Sequence, residues 1–160
     1  MTQQPTTARV PAPGLRPGRR GGKPGGEGTV YQVVLPPSPR SVGVARWLIG
    51  EWCAPWVNAH ELAEDTVESA LLLASEVVTN AVIHGDGMVH VAVSRLNGSA
   101  LRVEVSDAGG GMPLVNGQRP DAESGRGMAM VELLSSRWGT DLGVGPLGKT
   151  VWFELPIHAA

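Results

Sequence analysis

The chain has 160 residues, 42% of them hydrophobic, and a formal net charge of −2 at pH 7, which supports one globular domain and leaves no room for two cores. Its single cysteine, Cys53, excludes an internal disulfide, fits a reducing compartment and leaves no thiol–histidine spacing for a structural zinc. No apolar run approaches the ~18 residues of a membrane span, and the start lacks the apolar stretch of a signal peptide, so the cytoplasm is the expected location, with no membrane partner.

Residues 1–28 are rich in Pro, Gly and Arg, carry no periodicity and read as a disordered tail; the remaining residues, 29–160, form the expected domain. The tail holds five basic residues (Arg9, Arg16, Arg19, Arg20, Lys23) against one acid, Glu27. The charges are sparse and no aromatics interleave with them, so a solvated extension is expected rather than a nucleic-acid arm. Thr29 to Leu35 is short and β-branched, a strand, and Pro36-Pro37-Ser38-Pro39 stops it. A helix is expected from about Ser41 through Trp52, with Pro55 ending it. Trp52 and Trp56 flank that proline and read as core bulk, with a partner surface as the alternative. A longer helix follows from about Glu61 to Ile83, stopped by Gly85-Asp86-Gly87. Met88 to Arg95 and Ala100 to Ser106 read as strands joined by an Asn97-Gly98 hairpin turn. Gly109 to Ser124 is glycine-rich and patternless, long enough to be a lid or binding element. Met128 to Ser135 is a short helix, and Arg137 to Leu142 and Thr150 to Leu155 are the last strands. Hairpins favour antiparallel neighbours, and the helices must cover one face. The expected class is α+β: a two-layer sandwich on a mixed, mostly antiparallel sheet.

The long helix carries the chemistry. At ~100° per residue, Glu76, Asn80 and His84 fall within an arc of about 80°, while Leu71, Ala74, Val78 and Val82 lie opposite as the expected core face. A carboxylate and a carboxamide one turn apart suit a proton acceptor beside one Mg²⁺ ligand. His84 reads as a helix-end residue. Asp107-Ala108-Gly109-Gly110-Gly111 closes an expected strand: its glycines let backbone approach a ligand, and its carboxylate can accept from an exocyclic amine. Gly125-Arg126-Gly127-Met128 opens a helix, where free N–H groups and the dipole favour phosphate. Each box alone reads equally well as a turn or cap.

Gly143 to Thr150 satisfies G-x-x-x-x-G-K-[ST], the phosphate-binding P-loop pattern. That mechanism needs a helix after the loop, whereas Val151-Trp152-Phe153-Glu154-Leu155 are strand formers. Pro146 also lacks an N–H to donate, so a hairpin turn is expected here.

In order, E-x-x-x-N, D-x-G-x-G and G-x-G, with a lid between the last two, resemble the GHKL (Bergerat-fold) ATPase superfamily from Thr29 to Pro156. The wording Ser75-Glu76-Val77-Val78-Thr79-Asn80-Ala81 and Gly148-Lys149-Thr150-Val151-Trp152, with the entry Leu35-Pro36-Pro37-Ser38-Pro39, is similar to the anti-sigma-factor serine/threonine kinases of the RsbW/SpoIIAB type. The resemblance implies ATP and Mg²⁺ as cofactors. It makes Glu76 the catalytic base and Asn80 the metal holder. Asp107 would read the adenine amine with support from Thr150, Gly109 and Gly111 would make room for the nucleotide, and Gly125 and Gly127 would shape the lid's end. Met128 stands where many relatives carry leucine, a volume-conserving change. Arg46 lies in the first helix, which in that branch contacts the sigma factor. The implied function is an anti-sigma factor that phosphorylates an anti-anti-sigma (STAS) partner, with a homodimer as a possible assembly. The alternative is a nucleotide-gated binding module without phosphotransfer, and a third reading is a slow ATPase.

Overall fold

The computed structural model describes residues 29–109, 123–143 and 148–157. In chain order the elements are β1 (Val30–Leu35), α1 (Arg40–Asn58), α2 (Glu64–His84), β2 (Val89–Leu96), β3 (Ala100–Asp107), α3 (Glu123–Leu134), β4 (Arg137–Leu142) and β5 (Lys149–Pro156). This is the expected order of strands and helices. The tail and the lid segment 110–122 lie outside the described residues.

The five strands form one sheet in the order β1-β2-β3-β5-β4. Every pairing among the described residues is antiparallel, so the sheet is not mixed as expected. Alternation sorts the faces. Val89, Val91 and Val93 of β2, Leu101, Val103 and Val105 of β3, and Val151, Phe153 and Leu155 of β5 are buried against the helices. The opposite face carries polar rows. There Arg102 pairs with Glu104 and Glu154, at 2.8 Å each, and lies 4.1 Å from the Trp152 ring centroid. The β2–β3 turn fits its sequence: Asn97 (φ 47°) and Gly98 (φ 66°) are both left-handed, and the Ser99 N–H donates to Leu96 O at 2.9 Å.

The helix layer closes the core. α1 supplies Ala45, Ile49, Trp52, Cys53 and Trp56, and α2 supplies Ala70, Leu73, Ala74, Val77, Val78 and Ala81. Met128 and Val131 of α3 complete it. By length and composition α2 is apolar enough to cross a membrane. Its buried residues pack inside this protein, which makes it a core helix.

Pro55 does not end α1; the helix runs through it to Asn58. An interior proline costs about 3 kcal/mol. Trp52 and Trp56 straddle it and are 9% and 1% exposed. Tyr31 of β1 stacks on Trp52 and meets Trp56 edge-on, both at 5.7 Å between ring centroids. Burying a large apolar side chain yields about 1.5–3 kcal/mol, so two of them offset the proline. These tryptophans are therefore core, not a partner surface. Further along, β5 begins at Lys149, within the Gly143 to Thr150 stretch, where a P-loop would need a helix. The Gly143 N–H donates to Gly148 O at 3.1 Å and closes a β4–β5 hairpin.

Candidate functional site

Three chain segments converge at one end of the sheet: the last turns of α2, the end of β3 and the start of β5. Glu76 and Asn80 sit on α2, both half-buried. The buried stripe of this helix (Ala70, Leu73, Ala74, Val77, Val78, Ala81) is turned about 70° from the expected one, at ~100° per residue. Leu71 and Val82 are only partly buried. The helix is apolar around most of its girth, so pattern alone does not set its rotation. Ala70, Ala74 and Ala81 lie on the buried side. The rotation carries Glu76 and Asn80 from the far side of the helix to the margin of the core. Neither side chain has a hydrogen-bond or ion-pair partner among the described residues. Half-buried oxygen donors without protein partners fit a ligand, and a single amide oxygen suits Mg²⁺, which keeps several waters and phosphate oxygens in its shell. Among the described residues no three His, Cys, Asp or Glu side chains gather into a cage, so a metal here would rest chiefly on phosphates.

Asp107 ends β3 and is 1% exposed. Its Oδ1 accepts from the Gly109 N–H at 2.7 Å and, more weakly, from the Asp86 N–H at 3.4 Å. The Ala108 N–H donates to Asp86 O at 2.8 Å and stitches the loop after α2 to the end of β3. Gly85 makes this closure possible: a Cβ there would lie 2.6 Å from Asp107 Cγ and 2.3 Å from Ala81 O. Sequence reading took Gly85 only as a helix stop. Its second task leaves no local signal, because the partner residue is far away in the chain.

At the other end, Gly127 faces Glu76. A Cβ at 127 would come 2.7 Å from Glu76 Oε2 and 3.1 Å from its Cβ. α3 starts at Glu123, earlier than the expected Met128, so the third glycine box lies inside the helix. Gly125 falls in its first turn, where N–H groups lack intrahelical acceptors. Gly127 lies about half a turn further in, and what it supplies is space. Gly111 and the lid lie outside the described residues.

Thr150 is not brought to the Asp107 carboxylate. β3 and β5 pair Ser106 with Thr150 and Asp107 with Lys149. The Thr150 hydroxyl therefore meets the Ser106 hydroxyl, at 2.7 Å, on the sheet face away from Asp107. The β5 side chain beside Asp107 is Lys149, with Nζ 3.9 Å from Oδ2. His84 is exposed at the end of α2. Arg46 of α1 reaches across to α2, donating to Ser75 Oγ at 2.7 Å and Leu71 O at 3.2 Å, next to Glu76 in the chain. Cys53 stands apart from the site, and burial pushes its thiol pKa up to about 12.

Along α2, Glu76 and Gly85 are separated by about 13 Å at 1.5 Å per residue, with Asn80 between them. A carboxylate at one end, an amide midway and Asp107 against Gly85 at the other line up along this length of α2.

The profile of the histidine kinase-like ATPase domain family matches residues 35–155. The fold is similar to the crystal structure of the RsbU and RsbW domains of Rv1364c from Mycobacterium tuberculosis, with a TM-score of 0.59 and 20% identity over 80% of this chain and 32% of that one. The chain thus spans about a third of that solved chain. The histidine kinase domain from the Erythrobacter litoralis EL346 blue-light activated histidine kinase matches 71% of this chain and 61% of its own, at 24% identity and a TM-score of 0.42. No curated protein matches.

Proposed function

From the premise that the chain belongs to the histidine kinase-like ATPase domain family, we propose that it is a cytoplasmic anti-sigma factor with serine/threonine kinase activity. On this reading it binds Mg·ATP along the Glu76–Asn80–Asp107 strip and phosphorylates an anti-anti-sigma (STAS) partner. A sigma factor is the regulated target, and self-association as a homodimer is compatible with the role.

The observation that carries the proposal is the margin position of Glu76 and Asn80, polar and half-buried on the helix that ends against Asp107. Bound Mg²⁺ would neutralise charge between the terminal phosphates. The Asn80 amide oxygen would hold that ion. Asp107, fixed by the Gly109 N–H, would accept from the adenine amine. Gly109 and Gly111 would make room for the nucleotide, and Gly125 would offer an N–H to the phosphates. Thr150 would support the base site indirectly, by fixing Ser106 and the end of β3. Glu76 would take the proton from the attacking hydroxyl, a step typically worth about 10²–10⁴-fold.

One feature favours the second reading, a nucleotide-gated binding module. Gly127 packs against the Glu76 carboxylate, which leaves an incoming hydroxyl little room there. Incubating the protein with γ-labelled ATP and a candidate STAS partner separates the two. Label on a serine or threonine of the partner selects the kinase; nucleotide-dependent binding without label selects the module. A calorimetric titration with no heat at millimolar Mg·ATP would remove both.

A further inference from the structure

The side of α1 turned away from the core carries a stripe that the described residues leave uncovered. At ~100° per residue, Arg40, Val44, Trp47 and Glu51 fall within an arc of about 60°. All four are exposed, Val44 at 43% and Trp47 at 64%. The Arg40 and Glu51 side chains have no ion-pair partner among the described residues. They stand about 16 Å apart along the axis, at 1.5 Å per residue, too far to pair with each other. Gly43 and Gly50 flank Trp47 on the same side of the helix. A Cβ at either would meet no other atom within 4 Å, so the packing described here does not call for glycine. Each nevertheless weakens the helix relative to alanine.

We infer that this stripe is an interface with a second copy of the chain, formed by two α1 helices packed antiparallel about a twofold axis. The order of the four residues is self-complementary. With the axis between positions 45 and 46, Arg40 faces the second copy's Glu51, and Val44 faces its Trp47. The twofold repeats each contact, giving two ion pairs outside two apolar contacts. The same register seats each Trp47 among residues 40, 43, 44 and 47 of the other copy, the kind of hole a knob fills in paired helices. Gly43 deepens that hole for an indole. A parallel pair would instead set Arg40 near Arg40 and Glu51 near Glu51. Four side chains fall short of the roughly 20–30 residues a side of a standard interface, so the dimer is a weak one. The inference gives the self-association proposed above a surface and a register. Its failure leaves the nucleotide reading standing, because calorimetry with Mg·ATP tests that reading separately.

The test is sedimentation equilibrium on the full chain at up to about 0.5 mM. The wild type should show a monomer–dimer equilibrium in that range. Trp47→Ala should raise the dissociation constant by at least about tenfold. Arg40→Glu and Glu51→Arg should each raise it by about tenfold, because each sets like charges opposite one another twice. Mixed in equal amounts, the two charge variants should pair at least as tightly as the wild type, since each supplies the charge the other lacks. A wild type that stays monomeric overturns the inference. So does a wild-type dimer that Trp47→Ala or the charge reversals leave intact, or a mixture that does not re-form the dimer. Thermal melts check that the variants are folded; if Trp47→Ala is not, the charge variants and their mixture decide without it.

Discussion

Gly127 of α3 stands against Glu76 of α2, so close that a single added methyl group would reach to 2.7 Å from Oε2. The nearest atom is the far end of a flexible side chain, which can swing away. Gly127→Ala should therefore change stability by about 1 kcal/mol or less, since the helix-propensity gain of alanine is of similar size to the crowding cost. The displaced carboxylate is a different matter, because about 1 Å of misplacement can lower a reaction about 10²-fold. Paired thermal melts and phosphotransfer assays should show a near-unchanged midpoint and a large loss of transfer.

Glu76→Gln keeps the shape of the strip and removes the proton acceptor. Mg·ATP affinity by calorimetry should stay within about threefold of wild type, while label transfer to the partner falls by about 10²–10⁴. Equal loss of binding and transfer would show instead that Glu76 holds the nucleotide.

Asn80→Ala removes the one amide oxygen assigned to the metal. Nucleotide titrated in the presence of chelator should bind wild type and variant alike. Added Mg²⁺ should tighten binding only in the wild type. A variant that keeps the full Mg²⁺ response would move the metal ligand elsewhere.

Gly85→Ala meets backbone rather than a flexible tip, with Ala81 O at 2.3 Å and the tightly held Asp107 just beyond. Overpacking of this kind typically costs about 1–3 kcal/mol. Urea unfolding should show a lower midpoint with an unchanged slope. Nucleotide affinity should fall as well, because the same clash moves Asp107.

Cys53 is fully buried in α1, and burial raises its pKa to about 12. Only the thiolate reacts, so at pH 8 the native thiolate fraction is on the order of 10⁻⁴. An aromatic disulfide reagent should label the chain at the rate at which it opens, and promptly in denaturant. Rapid native labelling would contradict the full burial of Cys53.

Much of the fold was legible because its signals are local. The Val89–Val91–Val93 alternation and the Asn97-Gly98 turn each carry their own geometry, and the structure follows them. Three features were not local. The run of α1 through Pro55 depends on Tyr31, a residue in another element. The rotation of α2 depends on which of its apolar residues the neighbouring elements cover, and a helix apolar nearly all round does not announce that. The register of β5 on β3 is set across the sheet, and in a strand neighbouring residues face opposite ways. That phase puts Lys149, not Thr150, beside Asp107. The carboxylate and amide of α2 were legible as a pair, whereas the glycines that fit against them, Gly85 and Gly127, draw their meaning from tertiary contact.

Arg46 begins on the exposed side of α1 and ends on Ser75 and the Leu71 carbonyl. It acts as a strut between two helices, with its far foot planted one residue from Glu76. A body that grips the outer surface of α1 and pulls this guanidinium outward removes a brace from the turn that aims the carboxylate.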